Sequence, residues 1–373
     1  MRIANVFYLG VKELRSLMRD PIMLLLIGYS FTVAVYAEAT ALPESLNKAP
    51  ITIIDEDRSA LSARIGGAFY PPYFTPPVYA TTAEMDARMD AGLTTFSLDI
   101  PPNFQRDVLA GRQPDIQLNI DATRMSQAFT GGGYVQTIVA TEVAAFLQRY
   151  RAATVLPVDL ALRARFNPEL SKTWFGSIIE VINQITMLSI ILTGAALIRE
   201  REHGTIEHLL VMPVSPLEIM TGKIVAMGMV VLAAAALSLI FVVKGLLAVP
   251  IEGSVPLFLA GAAVHLFATT SMGIFLATMT RSMPQFALLV ILVILPLQML
   301  SGGVTPRESM PMFVQEVMLA APTTHYIMLA QSVLFRGAGL DVVWPQLVAL
   351  GLIGTVLFSL ALLRFRKAIG ETG

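Results

Sequence analysis

The chain has 373 residues, of which 55% are hydrophobic and 14% are charged, and its mean hydropathy is +0.66. Soluble domains carry about 25% charged residues, so this composition excludes an ordinary soluble protein and places much of the chain in lipid. The formal net charge of -1 gives no sign of a nucleic-acid partner, and the absence of cysteine excludes disulfides and thiol chemistry.

The first twenty residues mix basic side chains with apolar ones. The apolar positions recur at helical spacing, at Ile3, Val6, Phe7, Val11 and Leu14. This pattern predicts a helix over 1–20 that lies on the cytoplasmic membrane surface, although a solvated helix would show the same spacing. We expect the chain to turn into its first span at Asp20-Pro21. A signal peptide cleaved after Val35-Tyr36-Ala37 is the rival interpretation, which the length of the basic segment disfavours.

Six apolar runs are long enough to cross a bilayer, for which a helix needs about 20 residues. They lie near 21–41, 175–198, 224–246, 255–280, 284–303 and 342–363. Lys and Arg gather before the first run, between the second and third, between the fourth and fifth, and after the last. Because basic residues mark the cytoplasmic side, both termini are expected in the cytoplasm. The predicted fold class is therefore an α-helical polytopic membrane protein, N-in and C-in.

Residues 42–172 hold 12 Lys and Arg and 14 Asp and Glu, which is about half of all the charges. This segment is predicted to be a water-soluble domain, and after an N-in first span it faces the periplasm. Strands are predicted at 51–54, 77–80, 95–98 and 116–120, and helices at 59–69, 82–91, 103–109 and 127–151. Such alternation favours an extracytoplasmic α/β domain.

Two motifs in this segment admit a ligand-binding interpretation. Asp55, Glu56 and Asp57 could hold a cation, but their spacing does not match a calcium loop, and acidic residues after a strand more often cap the next helix. The glycines 131–133 lack the Lys-Ser or Lys-Thr of a phosphate cradle, and a flexible joint is the preferred interpretation.

A charged segment at 199–218 separates the second and third runs on the cytoplasmic side. Ser215 and Glu218 form a capping box, with Pro216 at the first helical position, so a helix is expected to begin sharply there. Gly204-Thr205 is expected to open a short helix that Pro213 ends. This helix could rest on the membrane or dock in a groove of a partner. His203 and His208 are five residues apart, which does not suit a metal site.

At this point the chain resembles an ABC-2 type permease of the exporter subfamily that has a large extracytoplasmic domain between its first two spans. The matching pieces are spread along the whole length, and their order makes the resemblance specific. They are Ile53-Ile54-Asp55-Glu56-Asp57, Ile100-Pro101-Pro102-Asn103-Phe104, the segment 199–207, the segment 300–311, and Ala321-Pro322-Thr323-Thr324-His325-Tyr326.

The resemblance implies that the short helix is a coupling helix, which receives movement from an ATPase. The residues that would carry this role are Glu202, Gly204, Thr205, Glu207, Leu209 and Leu210. The sequence contains no G-x-x-x-x-G-K-[ST], so ATP and Mg are expected on a separate ATPase subunit and no cofactor on this chain. The resemblance further implies a second permease subunit, identical or different. It is also compatible with a periplasmic adaptor as a partner.

The segment 305–335 is apolar but broken by Pro311 and Pro322, and it is expected to form re-entrant helices at the outer face. Thr305 and Glu308 repeat the capping-box pattern there. Within the predicted spans, polar side chains are candidates for translocation or gating, although Asn and Gln also join helices in membranes. These candidates are Glu180, Asn183, Gln184, His265 and Gln298.

The preferred hypothesis is an exporter permease that moves a hydrophobic or amphipathic compound outward across the inner membrane. An ion-coupled secondary transporter is the alternative, but the sequence shows no internal repeat, which such transporters usually have. A membrane scaffold for a periplasmic adaptor is a third hypothesis. Enzyme activity is not expected, because the sequence has no nucleophile elbow, metal-ligand cluster or paired-carboxylate site.

Overall fold

A computed structural model describes residues 2–41, 46, 48–123, 125–150, 171–202, 204 and 213–370. The chain divides into two compact units. One consists of Met1–Ala41 together with Ala164–Gly373, and the other of Leu42–Arg163. The first, called the helical unit here, contains the apolar runs, and the second is called the α/β unit.

The helical unit begins with α1 (Ile3–Met18), which was predicted from the spacing of its apolar residues. The turn at Asp20-Pro21 is confirmed, because the Asp20 carboxylate accepts a hydrogen bond from the Met23 backbone and α2 (Pro21–Tyr29) starts at the proline. A π-helical stretch, Ser30–Ala34, joins α2 to α3 (Val35–Ala41).

Five more long helices follow in this unit, named here in chain order. They are α8 (Lys172–Glu202), α9 (Pro216–Leu237, extended by π-helical Ser238–Leu246), α10 (Val255–Met279), α11 (Met283–Leu300) and α14 (Leu340–Gly370). With the helix over Pro21–Thr40, six helices among the described residues are long and apolar enough to cross a membrane, as predicted.

One boundary differs from the prediction. Helix α8 runs to Glu202, so residues 199–202 belong to a helix and not to a loop. Helix α9 begins at Pro216, directly after Ser215, as the capping box predicted. The last turn of α8 is rich in charged side chains, and hydropathy alone could not show that this turn is helical.

The segment after α11 is broken, as its two prolines predicted. Helices α12 (Met312–Met318) and α13 (Pro322–Leu334) are bent by 90° relative to each other. The capping box expected at Thr305 is wrong: a 3-10 turn, Arg307–Ser309, starts after Pro306 without a side-chain cap. Pro306 itself occupies the position where that cap residue would have to stand.

Helix α8 forms the centre of the helical unit. In the apolar stretch of α8, 83% of the residues are buried, whereas 22% are buried in that of α11 and 17% in that of α14. Small residues permit the close approach: a side chain at Gly273 of α10 would collide with the Ile190 backbone of α8. The exposed apolar faces of α11 and α14 are the surfaces suited to lipid or to another membrane subunit.

The α/β unit contains a four-stranded sheet. Its strands, β1 (Ile51–Asp55), β2 (Val78–Tyr79), β3 (Phe96–Ile100) and β4 (Gln117–Ile120), lie where the sequence predicted them. The spatial order is β2-β1-β3-β4, with β4 antiparallel and the others parallel. Helices follow the strands: α4 (Ala60–Gly67), α5 (Thr82–Asp90), α6 (Phe104–Leu109) and α7 (Met125–Tyr150).

The two motifs with rival interpretations are both structural. Asp55 accepts hydrogen bonds from the Arg58 backbone and the Ser62 hydroxyl, and Asp57 accepts one from the Gln105 backbone, so these carboxylates organise turns. The flexible joint expected at 131–133 is wrong, because these glycines lie within α7. Gly131 faces the ring of Phe96, which occupies the space a side chain would need.

Candidate functional site

The charged end of α8 connects the cytoplasmic ends of several other helices, as the predicted topology places them. Arg199 forms an ion pair with Asp20, 3.0 Å away, at the start of α2. Arg201 donates to the Thr280 carbonyl at the end of α10, at 2.6 Å. The Glu202 carboxylate accepts from the Met283 backbone at the first residue of α11, at 2.9 Å.

Glu200, in the same turn, belongs to a network of four charged residues, three of them buried, that joins α1, α8 and α9. The Lys223 ammonium lies 2.8 Å from Glu13 and 2.8 Å from Glu200. Lys12 pairs with Glu200 and lies 3.4 Å from Glu13. Only 2% of the Lys223 side chain is exposed, with 6% for Glu13 and 10% for Glu200.

Such a network imposes one arrangement on the three helices. Removal of one member leaves a buried charge without compensation, which costs several kcal/mol, whereas the intact network returns little net stability. Its main effect is therefore to fix α1 against α8 and α9. Lys12 is only half-buried. Its partial burial lowers the pKa of the ammonium group, but the attraction of Glu200 and Glu13 outweighs burial and raises that pKa above the usual value of 10.5.

The beginning of α9 is held to α1 by a second set of contacts. Ser215 and Glu218 form the predicted capping box, with the Ser215 N–H donating to Glu218 at 2.8 Å and the Glu218 N–H donating to the Ser215 hydroxyl at 3.3 Å. Glu218 also accepts from the Arg2 backbone at 2.5 Å and from the Asn5 amide at 3.3 Å. One carboxylate thus caps α9 and attaches the start of α1.

The residues predicted to couple to an ATPase lie between these two anchored ends. Glu202 is placed as described, and Gly204 has a φ of 68°, a left-handed conformation that favours glycine. Its N–H donates to the Arg201 carbonyl at 3.2 Å. Thr205, Glu207, Leu209 and Leu210 lie outside the described residues, as do His203 and His208. The described residues on either side of the segment 203–212 are held in place: Glu202 contacts α11, and the Pro213 carbonyl accepts from the Asn5 amide of α1.

Three of the polar residues predicted for translocation or gating form one group on α8. The Glu180 carboxylate accepts from the Gln184 amide at 2.5 Å and from the Asn183 amide at 3.3 Å. Asn183 and Gln184 are buried and Glu180 is half-buried. The amide oxygens of Asn183 and Gln184 have no hydrogen-bond partner among the described residues. This leaves two acceptors able to bind a donor.

His265 makes a different contact. Its ring nitrogen Nε2 is 2.9 Å from the Thr186 hydroxyl of α8, and its ring stacks on Tyr326 of α13 with a 4.6 Å separation of centroids. His265 is fully buried, so it joins three helices. Gln298 lies elsewhere, half-buried on α11, and its side chain makes no hydrogen bond with a described residue. The five candidates thus do not form one site.

The sequence analysis missed the buried network. Its pairs are separated by up to 210 positions, as between Glu13 and Lys223, and no local pattern reveals such pairs. Two signals were present. Glu13 shares a helical face with Leu9 and Leu17, four residues away on either side, and Lys223 is the only basic residue between Pro216 and Leu237. A charge on a buried helix face requires a partner of opposite sign.

Comparison with known proteins agrees with this architecture. A family model described as "ABC-2 family transporter protein" matches residues 21–363. The chain is 63% identical over 368 residues to the inner membrane transport permease YhhJ of Escherichia coli K12, covering 99% of this chain and 98% of that one. It is 26% identical over 366 residues to the probable multidrug ABC transporter permease YbhR of the same organism, covering 96% and 97%.

A third relative is the probable multidrug ABC transporter permease YbhS of Escherichia coli K12. It is 27% identical over 340 residues, which cover 88% of this chain and 88% of that one. The matched region includes the first five candidate spans, most of the sixth, and the charged end of α8. The resemblance stated from the sequence is confirmed, and the chain belongs to the ABC-2 transporter family.

Proposed function

We propose that this chain is the permease subunit of an ATP-binding cassette exporter, which moves a hydrophobic or amphipathic compound out of the cytoplasm or inner membrane. Family membership and the six candidate spans support a permease. The sequence lacks a P-loop, which supports a separate ATPase that binds ATP and Mg. The names of YbhR and YbhS as probable multidrug permeases support a cargo of this kind.

The observation that carries the proposal is the charged last turn of α8. Its four residues contact α1, the start of α2, the end of α10, the start of α11 and Lys223 of α9. A force that the ATPase applies to the adjoining segment 203–212 would therefore be transmitted to all of these elements at the same time. Glu202, Gly204, Thr205, Glu207, Leu209 and Leu210 are the proposed contact with the ATPase.

The setting proposed for the subunit follows from its relatives and its charges. The name of YhhJ supports the inner membrane, and the basic flanks support cytoplasmic termini with the α/β unit in the periplasm. Two permease subunits and two ATPase subunits would form the working assembly, to which a periplasmic adaptor could bind through the α/β unit.

The route through the helical unit is proposed to pass the Glu180 group. Its two unpartnered amide oxygens and its carboxylate can exchange hydrogen bonds with a passing polar group. His265 and Gln298 would act in gating, His265 by joining α8, α10 and α13. A shift of α8 driven from its cytoplasmic end would move Thr186 relative to His265.

Dye uptake into inside-out vesicles tests the proposal, with the chain and its ATPase expressed together and ethidium as the cargo. ATP-dependent uptake is expected for the wild type and for the control Glu56→Lys, which alters an exposed carboxylate of the α/β unit. Glu207→Lys should abolish uptake while the protein still inserts into the membrane. Unchanged uptake would refute the coupling role, and uptake driven by an ion gradient without ATP would refute the ATP-driven mechanism.

A further inference from the structure

The α/β unit contains a groove of about 810 Å³ between its sheet, α6 and α7. Leu98 of β3 and Leu118 of β4 form the floor, Phe104 and Val108 one wall, and α7 the other wall. Leu98, Phe104 and Val108 are buried, whereas Leu118 is partly exposed and packs at the margin of the core. The groove is thus an opening into the hydrophobic core of this unit.

The wall that α7 contributes is mostly aliphatic. Val139, Val143 and Leu147 recur every four residues and face the groove, with Ala140 and Ala144 beside them. Among the described residues of the lining, only Phe104 is aromatic. Protein interfaces concentrate their binding energy in Trp, Tyr and Arg, whereas small-molecule sites are concave, apolar and about 300–1,000 Å³ in volume. Shape and composition therefore favour a small aliphatic ligand over a protein.

The rim of the groove supplies a charge. Arg112 alone is charged among the described residues of the lining, and its guanidinium pairs with Asp107 at 2.5 Å. Arg106 lies 3.0 Å from the same Asp107 oxygen. Two guanidinium groups that share one carboxylate leave an excess of positive charge. Gln113 and Gln136 add amide donors to the lining.

We propose that this groove binds an anionic amphiphile, with its aliphatic tail between α6 and α7 and its carboxylate or similar head at Arg112. Arginine suits such a head because its planar donors match a carboxylate. This site is separate from the Glu180 group of the helical unit. Its ligand binds without ATP hydrolysis, so it can be tested independently of transport.

The experiment uses the full-length protein in nanodiscs without its ATPase. Lauric acid that carries a diazirine at its tail is the probe, and the corresponding lauryl alcohol is its uncharged counterpart. After illumination, mass spectrometry identifies the labelled peptides. The acid is expected to label residues 132–147 of α7 several-fold more strongly than the alcohol does.

Two matched pairs of variants locate the tail and the head. Ala140→Trp fills the groove and should remove labelling of α7, whereas Thr137→Trp, at an exposed position of α7 outside the lining, should leave it unchanged. Arg112→Gln should reduce acid labelling to the level of the alcohol, and Arg58→Gln, which removes an exposed arginine of the same unit outside the lining, should retain it. Ala144→Trp replaces Ala140→Trp if that variant does not fold, as judged by thermal unfolding.

The proposal is overturned if both tryptophan variants of the first pair label like the wild type, or if labelling is confined to the helical unit. It is also overturned if acid and alcohol label the wild type equally, since the charge at Arg112 would then have no effect.

Discussion

The Lys223 ammonium lies 2.8 Å from the Glu13 carboxylate, although 210 positions separate the two residues in the sequence. Both side chains are almost completely buried. Because a buried charge needs a partner, this contact favours one arrangement of α1 against α9. The N-terminal helix is therefore an integral part of the helical unit.

Lys223→Met should destabilise the protein by about 3 kcal/mol, because Glu13 and Glu200 lose their buried counter-ion. Thermal unfolding of the purified protein in detergent measures this effect. Lys12→Met is the matched control, since it removes the same charge from a side chain that is 47% exposed. Equal losses for the two variants would contradict the account of the network.

Neutralisation of both partners offers a stricter test of the same contact. Glu13→Gln combined with Lys223→Met removes both charges of the pair and leaves Lys12 paired with Glu200. The double variant should lose less stability than the sum of the two single losses, as measured by thermal unfolding. A double loss equal to that sum would show that the two side chains do not act as a pair.

The contribution of Lys12 depends on pH in a defined direction. Its pKa is raised above 10.5 by Glu200 and Glu13, against the effect of burial. A group whose pKa is raised on folding stabilises the folded protein below its unfolded pKa, and this stability is lost as the pH rises through the folded pKa. The wild type should therefore lose more stability than Lys12→Gln between pH 9 and pH 11. Parallel unfolding curves across this range would contradict the assignment.

Two glycines of α7 that lie two positions apart should respond in opposite ways to alanine. A side chain at Gly131 would overlap the Phe96 ring, so Gly131→Ala should cost about 1–3 kcal/mol through overpacking. Nothing lies within 4 Å of the corresponding position at Gly133, so Gly133→Ala should stabilise α7 by about 0.5–1 kcal/mol. Unfolding temperatures of the two variants check the prediction, which fails if both shift in the same direction.

The contact between His265 and Thr186 should appear as a coupling energy. Thr186→Val and His265→Leu each remove the buried hydrogen bond between α8 and α10. A double-mutant cycle of unfolding free energies should give a coupling of about 0.5–1.5 kcal/mol, the range found for polar contacts between membrane helices. Strictly additive losses would show that the hydrogen bond contributes nothing.

The spans and strands could be predicted from sequence because each leaves a local signal. The apolar runs needed only composition and length, and the cap at Ser215 and the turn at Asp20 follow from residue types a few positions apart. The break between α12 and α13 likewise follows from Pro311 and Pro322.

The failures arose where distant parts of the chain meet. Glycines 131–133 indicated a joint, but they lie within α7, where the Phe96 ring occupies the space that a side chain at Gly131 would need. The pairing of Glu13 with Lys223 depends on the packing of α1 against α9, which no local window contains. The arrangement of Asn183 and Gln184 around Glu180 could have been predicted, because residues three and four apart on a helix are neighbours.

The most direct test of the proposed function is whether this chain assembles with an ATPase through segment 203–212. Affinity-tagged wild type and Glu207→Lys, purified from membranes under identical conditions, would be compared by mass spectrometry, with Glu56→Lys as the control. The account predicts that wild type and control retain an ATPase that carries a P-loop, in an amount comparable to the permease, and that Glu207→Lys loses most of it. Well-inserted wild-type protein that purifies without any such ATPase would contradict it.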